Sequence, residues 1–261
     1  VIPFYRNIDF LVEAYKSALS QSLAFDEIII VNDGSPDVEH HNLVKLFPAA
    51  LILSQSNYGP STARNLGILS ASSDYVCFLD SDDVLSPHYL YIVSSCICRF
   101  DIFPSFVTVK YLKSIDLGPL PDPVSNSYFS FSSFNALHYA FSPRLLSSSS
   151  LCVRRNFLIS HFNGYLFPSA YRSGEDVIAA LRLLSISNGI FINQFLSLYR
   201  VHDPYLITKS PFASFPNIFS YLLRPRILFS PPNLILLLHL FFKACLAQVF
   251  ICFRVLVFWQ F

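Results

Sequence analysis

Strand-like and helix-like segments alternate through the first 100 residues of this chain. Short apolar runs, such as residues 27–31 and 75–79, have the length and composition of buried parallel strands. Apolar residues recur at helical spacing after Asp9, which we predict to be a helix N-cap. The predicted series is strand 1–5, helix 9–20, strand 27–31, helix 38–47, strand 50–53, loop and helix 57–72, strand 75–79 and helix 87–99. This order predicts βαβ units, and therefore an α/β fold with a mostly parallel sheet flanked by helices.

The second half of the chain has a less regular pattern. Residues 101–150 are rich in Ser, Phe and Pro, and we assign no elements there; residues 147–150 suit a loop. Beyond them we predict a strand at 151–153, helices at 155–162 and 175–187, and a strand at 190–199. Gly189 suits the C-terminal cap of the helix that begins at Glu175.

The strand predicted at 75–79 ends in a cluster of carboxylates, Asp80, Asp82 and Asp83. Carboxylates repel one another and resist burial, so their clustering at a strand end needs a cause. A divalent cation is one cause, because Mg²⁺ and Mn²⁺ prefer oxygen ligands. A solvated turn that caps the next helix is the other, since Asp is common in such turns. The cluster by itself leaves both interpretations open.

Other side chains with binding chemistry also follow the predicted strands. Tyr5 follows the first strand, Asp33 follows the second, and Arg64 lies in the first turn of the helix after the third. Ligands of open α/β sheets bind beyond the carboxyl ends of the strands, so we expect these positions to converge on one edge. An aromatic ring, a carboxylate, an arginine and a metal-binding cluster together suit a nucleoside diphosphate.

Six segments, in family order along the chain, resemble the motifs of family-2 glycosyltransferases. They are residues 1–5 (VIPFY), 31–35 (VNDGS), 59–65 (GPSTARN), 78–83 (FLDSDD), 174–176 (GED) and 199–202 (YRVH). Each is common by itself, whereas the six together are specific. The resemblance implies a GT-A fold, with a Rossmann-like sheet, over residues 1–205. It divides this domain into a nucleotide-binding half (1–100) and an acceptor half (101–205).

The resemblance also implies which residues bind the nucleotide-sugar donor. Pro3 and Tyr5 would frame the base, and Asp33 would form a hydrogen bond with it. Arg64 would lie near the base and the phosphates. Asp80 would approach the ribose and the metal, and Asp82 is the sixth residue of this donor-binding set.

A divalent cation, Mn²⁺ or Mg²⁺, is the implied cofactor. The metal ligands would be Asp82, which binds directly, with Asp80 close by. His202 would approach the metal or the diphosphate, with Arg200 nearby. Asp83 would orient the loop.

The implied chemistry is an inverting transfer, a direct displacement at the anomeric carbon. Asp176 would be the general base that deprotonates the acceptor hydroxyl, and Glu175 would help to position the acceptor. One carboxylate on the acceptor side and a cation on the leaving diphosphate are sufficient for such a reaction.

The C-terminal segment, residues 206–261, is strongly apolar, and we expect it to be helical and associated with a membrane through residues 227–261. Lys243 and Arg254 interrupt the apolar run. They are eleven residues apart, close to three helical turns, and so share one face. An interfacial helix fits this narrow polar stripe. A spanning helix and a helix packed on the domain are the alternatives.

Composition limits the possible partners and the compartment. The net charge of +1 excludes the basic footprint of a nucleic-acid-binding domain. Charged residues are 13% of the chain, against roughly 25% in ordinary soluble domains, and hydrophobic residues are 53%. The six Cys have no zinc-site spacing, and we expect free thiols in a reducing compartment. The chain begins with Val and has no Met, so we expect a start that has been trimmed.

These observations predict a metal-dependent inverting glycosyltransferase at the cytoplasmic face of a membrane. It would move a sugar from a nucleotide donor, with UDP-sugars as the leading candidates, to a saccharide or lipid-linked acceptor, as in surface polysaccharide synthesis. A nucleotidyltransferase is one alternative, although residues 3–6 do not form a Gly-rich phosphate loop. An inactive sugar-nucleotide-binding or scaffolding module at a membrane is the other.

Overall fold

The computed structural model describes residues 1–100, 103–114, 131–134, 147–170 and 174–201. The apolar segment 206–261 and His202 lie outside these ranges, so the predictions made for them remain predictions. None of the helices in the described ranges has the length and apolar character needed to cross a membrane. The cysteines within those ranges are free thiols, as predicted.

The first half of the chain forms the predicted βαβ units. The elements are β1 (Ile2–Phe4), α1 (Ile8–Leu19), β2 (Ile29–Asn32), α2 (His40–Leu46), β3 (Leu51–Ser54) and α3 (Pro60–Ser70). The three strands pair in parallel in the order β1-β2-β3, with Ile30 opposite both Ile2 and Ile52. The cap of α1 differs from the prediction. Asn7 rather than Asp9 is the N-cap, because its side-chain oxygen accepts a hydrogen bond from the Phe10 N–H at 3.3 Å.

A single residue, Val1, joins this sheet to β4 (Tyr75–Cys77). The Val1 amino group donates to the Cys77 carbonyl at 2.8 Å, and the Leu79 N–H donates to the Val1 carbonyl at 3.0 Å. These two bonds have the pattern of a parallel ladder. The strands therefore run β3-β2-β1-β4, and the carboxyl ends of β1, β2 and β4 lie side by side.

The second half continues the sheet with mixed pairing. Its elements are β5 (Val84–Leu85), α4 (Tyr89–Ile97), β6 (Phe106–Ser114), β7 (Phe131–Phe134), a 3₁₀ turn (Ser148–Ser150), β8 (Leu151–Arg154), α5 (Arg155–Phe162), α6 (Glu175–Leu184) and β9 (Gly189–Arg200). The strand order is β4-β8-β6-β9-β5, and β7 also pairs with β9. Only β6 and β9 pair in parallel here; the other ladders are antiparallel. The parallel sheet predicted for residues 1–100 is confirmed, and the antiparallel strands extend it.

Gly189 does not have the role that the local pattern predicts, which is to cap the helix that begins at Glu175. That helix, α6, ends at Leu184 with Ser185 as its C-cap. Gly189 is the first residue of β9, and a Cβ atom built on it would lie 2.2 Å from the ring of Phe106. The glycine is therefore required by close packing against β6 rather than by a helix end.

Two apolar cores, one on each face of the sheet, hold the helices in place. Neighbouring residues of β2 alternate between them: Ile29 and Val31 face α3, α5 and α6, whereas Ile30 faces α1, α2 and α4. This is the period of two expected of a strand that is covered on both faces. The sheet is thereby fixed between two helical layers, and its carboxyl edge is left for the site.

Candidate active site

The structure brings all six predicted donor-binding residues to one cleft. The cleft has a volume of about 230 Å³ and lies at the carboxyl ends of β1, β2 and β4. Its lining residues are Pro3, Phe4, Tyr5, Arg6, Asp33, Pro60, Arg64, Asp80, Ser81 and Asp82. A larger cavity of about 540 Å³ contains none of the predicted site residues; it is lined by residues near the amino ends of β2 and β4. Because the smaller cleft holds the side chains with binding chemistry, at the carboxyl ends of the strands, we assign it as the candidate site.

The end of β1 supplies an aromatic wall. Pro3 is buried within the strand, whereas Tyr5, just beyond it, is half-buried. The guanidinium of Arg6 lies over the Tyr5 ring, 5.2 Å from its centroid. A ring held in this way can stack on a planar base, while the neighbouring cation attracts an anionic ligand.

Asp33 organises the turn that follows β2. Its Oδ1 accepts hydrogen bonds from the side-chain amide of Gln55 at 2.7 Å and from the Tyr58 N–H at 2.9 Å. Its Oδ2 accepts one from the Gly59 N–H at 2.9 Å. A carboxylate has about four acceptor positions, so one remains for a ligand. The predicted hydrogen bond to a base is compatible with this arrangement and stays a prediction.

Two glycines allow this turn to form. Gly34 has φ 68°, and a Cβ atom there would lie 2.9 Å from the backbone nitrogen of Asn57. Gly59 has φ 93° and is the N-cap of α3, with Pro60 at the first helical position. A side chain at Gly34 would force apart the two loops that Asp33 holds together.

Arg64 is buried and joins the two halves of the site. It is 4% exposed, with Nη2 at 2.5 Å from Asp80 Oδ1 and Nη1 at 3.4 Å from Glu175 Oε1. Burial by itself would lower the pKa of Arg64, but Asp80 and Glu175 more than offset this, so the guanidinium stays charged. Its Nε atom is buried without a hydrogen-bond partner among the described residues. The structure thus shows Arg64 holding two carboxylates at the cleft.

The acidic loop, residues 80–83, is held by groups from the second half of the chain. Ser148 Oγ donates to Asp80 Oδ2 at 2.6 Å, and Ser149 Oγ donates to Asp83 Oδ2 at 2.5 Å. Asp83 is 1% exposed, and its Oδ1 accepts from the backbone N–H of Arg200 at 3.0 Å. Burial, and then the charges of Asp80 and Asp82, raise the pKa of Asp83 well above its ordinary value. Asp83 therefore supports the loop, as predicted.

Arg200, at the end of β9, fastens the other side of the acidic loop. Its Nε donates to the Asp82 carbonyl at 2.9 Å. Its Nη2 forms an ion pair with Glu13, and its guanidinium lies 4.1 Å from the centroid of the Phe10 ring. These contacts attach the acidic loop to α1 as well as to β9.

The predicted metal ligands Asp80 and Asp82 both lie at the cleft, and Asp82 is half-exposed there. Asp80 already forms the bonds to Arg64 and Ser148 described above. In the described part of the chain, His, Cys, Asp and Glu side chains do not come together in a group of three or more that could hold a metal ion. The third predicted ligand, His202, lies outside that part.

The first turn of α6 carries the two predicted acceptor-side carboxylates. Gly174, with φ 75°, is the N-cap, and Glu175 and Asp176 follow it, where the helix dipole favours negative charge. Asp176 Oδ1 accepts from the Val177 N–H at 2.8 Å. Burial, followed by the charge of Glu175, raises the pKa of Asp176 to about 6. A carboxylate with this pKa accepts a proton more readily than an ordinary one, which suits a general base.

Ser148 and Ser149 are site residues that the sequence pattern missed. The run of four serines predicts a loop, because Ser is common in loops and has no hydrophobic periodicity. In the structure, Ser147–Ser150 are all buried. The signal that could have identified them is their position, directly before an apolar strand that pairs with the strand leading to Asp80.

The fold and the cleft define the class of protein: an α/β domain with a cleft at the carboxyl ends of its parallel strands and a carboxylate-bearing helix beside it. The family model described as Glycosyl transferase family 2 matches residues 1–101. An uncharacterized glycosyltransferase of Rickettsia felis is 29% identical over 246 residues, which cover 91% of this chain and 39% of the relative. The minor teichoic acid biosynthesis protein GgaA of Bacillus subtilis is 36% identical over 107 residues, 38% of this chain and 24% of that protein.

A solved structure has the same fold. Residues 1–349 of TarS from Staphylococcus aureus, crystallised with UDP-GlcNAc, match with a TM-score of 0.63 at 18% identity, covering 80% of this chain and 60% of that one. The structural match shows that the chain has a GT-A-like α/β fold, and its first 101 residues match the model of glycosyltransferase family 2, as the motifs predicted. The chain spans about 39% of the length of the Rickettsia felis relative.

Proposed function

We propose that this protein is an inverting glycosyltransferase that uses a nucleotide-sugar donor. The observation that carries the proposal is the convergence of six residues, predicted from four separate motifs, on one cleft. Arg64 then connects this cleft to the helix that bears Asp176, through its ion pairs with Asp80 and Glu175. The cleft and the helix turn that carries Asp176 are thus held next to each other by the buried guanidinium of Arg64.

The donor we propose is a UDP-sugar. Tyr5 offers a half-buried ring for the base, and Asp33 retains one acceptor position for a base N–H. The similarity in fold to a TarS domain crystallised with UDP-GlcNAc supports this choice of nucleotide. The proposal does not extend to the identity of the sugar.

A divalent cation, Mn²⁺ or Mg²⁺, fits the acidic loop if the donor supplies part of its coordination. Mg²⁺ is usually held by one or two carboxylates together with substrate phosphates, rather than by a cage made only of protein. Asp82, half-exposed at the cleft with Asp80 beside it, provides such a pair. Bound there, the cation would neutralise the charge that develops on the leaving diphosphate.

The catalytic step we propose is a single displacement. Asp176 takes the proton of the acceptor hydroxyl as its oxygen bonds to the anomeric carbon. The bond between that carbon and the diphosphate oxygen breaks at the same time, and the nucleoside diphosphate leaves. Glu175, bound to Arg64 at 3.4 Å, keeps the first turn of α6 beside the cleft.

The acceptor we propose is a saccharide or a lipid-linked glycan at the cytoplasmic face of a membrane. The apolar composition of residues 227–261 supports a membrane location. The similarity to a protein of minor teichoic acid biosynthesis supports a role in surface-polymer synthesis.

A panel of nucleotide sugars tests the function directly. Binding is measured calorimetrically with Mn²⁺, with Mg²⁺ and with a chelator, and the products of each candidate are then analysed. We expect one UDP-sugar to bind in a cation-dependent manner and to release UDP during turnover. Release of pyrophosphate would instead indicate a nucleotidyltransferase. Tight binding with neither transfer nor donor hydrolysis would indicate an inactive binding module.

A further inference from the structure

The serine segment Ser147–Ser150 is a buried polar element packed under the acidic loop. Ser148 is 4% exposed, and Ser149 and Ser150 are 0% exposed. The segment forms a 3₁₀ turn directly before β8, and β8 pairs with β4, whose chain continues into the acidic loop. Buried hydroxyl groups are costly unless they form hydrogen bonds, so their partners indicate what they contribute.

Ser148 contacts both members of the ion pair at the cleft. Its Oγ donates to Asp80 Oδ2 at 2.6 Å and accepts from Arg64 Nη2 at 3.3 Å. Arg64 Nη2 itself donates to the other oxygen, Asp80 Oδ1, at 2.5 Å. Both oxygens of Asp80 are therefore held from the protein side, and the rotation of the carboxylate is fixed.

Ser149 contacts both ends of the acidic loop. Its Oγ accepts from the backbone N–H of Asp80 at 3.0 Å and donates to Asp83 Oδ2 at 2.5 Å. The Asp83 N–H also donates to the Asp80 carbonyl at 3.0 Å. One hydroxyl thus joins the first and the last residue of a tight turn, and Asp82 is carried between them.

We propose that Ser148 and Ser149 are positioning residues that hold the acidic loop in the shape that presents Asp80 and Asp82 to the cleft. That this shape serves donor and cation binding rests on the function proposed above. A hydroxyl suits the task because it fixes a carboxylate without adding a charge. A lysine in its place would add a second cation beside Asp80, which already pairs with Arg64, whereas serine adds no charge.

Ser150 offers a matched control for the test. It belongs to the same buried segment, but its Oγ bonds to Ser147 and to Thr108 at 3.1 Å rather than to the acidic loop. Replacing Ser148, Ser149 or Ser150 by Ala removes the same hydroxyl from the same 3₁₀ turn. The thermal stability of each variant is measured as well, so that a difference in the loop or in ligand binding can be compared with the loss of stability.

The first measurement is hydrogen exchange at the amides of residues 80–83, which does not depend on any ligand. In Ser149→Ala the Asp80 N–H loses its acceptor, and we expect exchange to be about 10-fold faster than in Ser150→Ala. The second measurement is the affinity for UDP with Mn²⁺. We expect Ser148→Ala and Ser149→Ala to bind about 10-fold more weakly than Ser150→Ala, because each loses a hydrogen bond to a charged group. Ser148→Thr keeps the hydroxyl and should restore affinity.

The outcomes separate this proposal from the proposed function. Equal exchange and equal UDP affinity in the three Ala variants would overturn the positioning role even if the wild type transfers sugar. If loop exchange is faster in Ser149→Ala than in Ser150→Ala and the protein binds none of the nucleotides, the positioning role is supported and the proposed function is contradicted.

Discussion

Two carboxylate turns at neighbouring strand ends are stabilised in different ways. Asp33, after β2, is held by Gln55, Tyr58 and Gly59, which all belong to the first half of the chain. The acidic loop after β4 has one such partner, Arg64, but is held mainly by groups from the second half: Ser148, Ser149 and the backbone of Arg200. The first turn is therefore held within its own half of the chain, whereas the second also depends on the packing of the second half. Substitutions in the two halves should therefore affect different quantities: turnover, stability or the affinity for UDP.

The largest effect should come from Asp176→Asn, which removes chemistry that the second half supplies. We expect the turnover rate to fall by about 10²–10⁴-fold, the usual contribution of a general base, because an amide cannot take the acceptor proton. Donor affinity should stay close to that of the wild type. Asp9→Asn, the same change in the exposed first turn of α1, is the control for both measurements. Full turnover in Asp176→Asn would exclude it as the base.

Asp33→Ala should be the next most damaging change, through stability rather than chemistry. It removes the acceptor of three hydrogen bonds and leaves donors in the turn unpaired, so we expect about 3 kcal/mol less free energy of unfolding in urea. Asp37→Ala is the control. Asp37 accepts from the Asn7 N–H at 2.9 Å in an exposed position, and its loss should matter far less. Equal losses of unfolding free energy in the two variants would show that the hydrogen bonds of Asp33 stabilise the fold no more than the exposed bond of Asp37.

The pH dependence of transfer should report Asp176. Its pKa of about 6 means that the base is ionised, and active, above that pH. The rate should therefore rise with pH through about 6 and then level off. Because the charge of Glu175 raises this pKa, Glu175→Gln should move the midpoint to lower pH. Glu39→Gln, at a side chain 79% exposed, should leave the midpoint unchanged. A shift to higher pH in Glu175→Gln would contradict the assignment.

The smallest effect should come from Glu13→Gln, at the outer end of the Arg200 contacts. Glu13 is 45% exposed, and exposed ion pairs contribute about 0–1 kcal/mol. Arg200 would keep its bonds to the acidic loop, so UDP affinity should change less than about 5-fold. A loss as large as that of Ser149→Ala would mean that α1 also sets the loop geometry.

The amino-acid sequence predicted the structure best where burial imposes a regular spacing of apolar residues along the chain. The alternation of strand and helix predicted β1 to β4, because burial on two faces leaves apolar runs of characteristic length. It also predicted the edge at which the cleft lies, since residues that follow parallel strands meet at one edge of the sheet. Phe106–Ser114 was missed because its first four residues are all buried, so it lacks the alternation of a half-buried strand, and Lys110 and Lys113 interrupt its apolar run.

The sequence by itself determined that Tyr5, Asp33, Arg64, Asp80 and Asp82 would share a cleft. Only the tertiary structure decided what each of them contacts. The bonds from Arg64 to Glu175 and from Ser148 to Asp80 join residues 111 and 68 positions apart. Such bonds depend on side-chain direction, on the pairing of β8 with β4 and on where α6 packs. A hydroxyl or carboxylate in a sequence has no periodicity that reveals its partner. The spacing of apolar residues reflects which positions are buried, whereas the partners of hydrogen bonds depend on how the elements pack together.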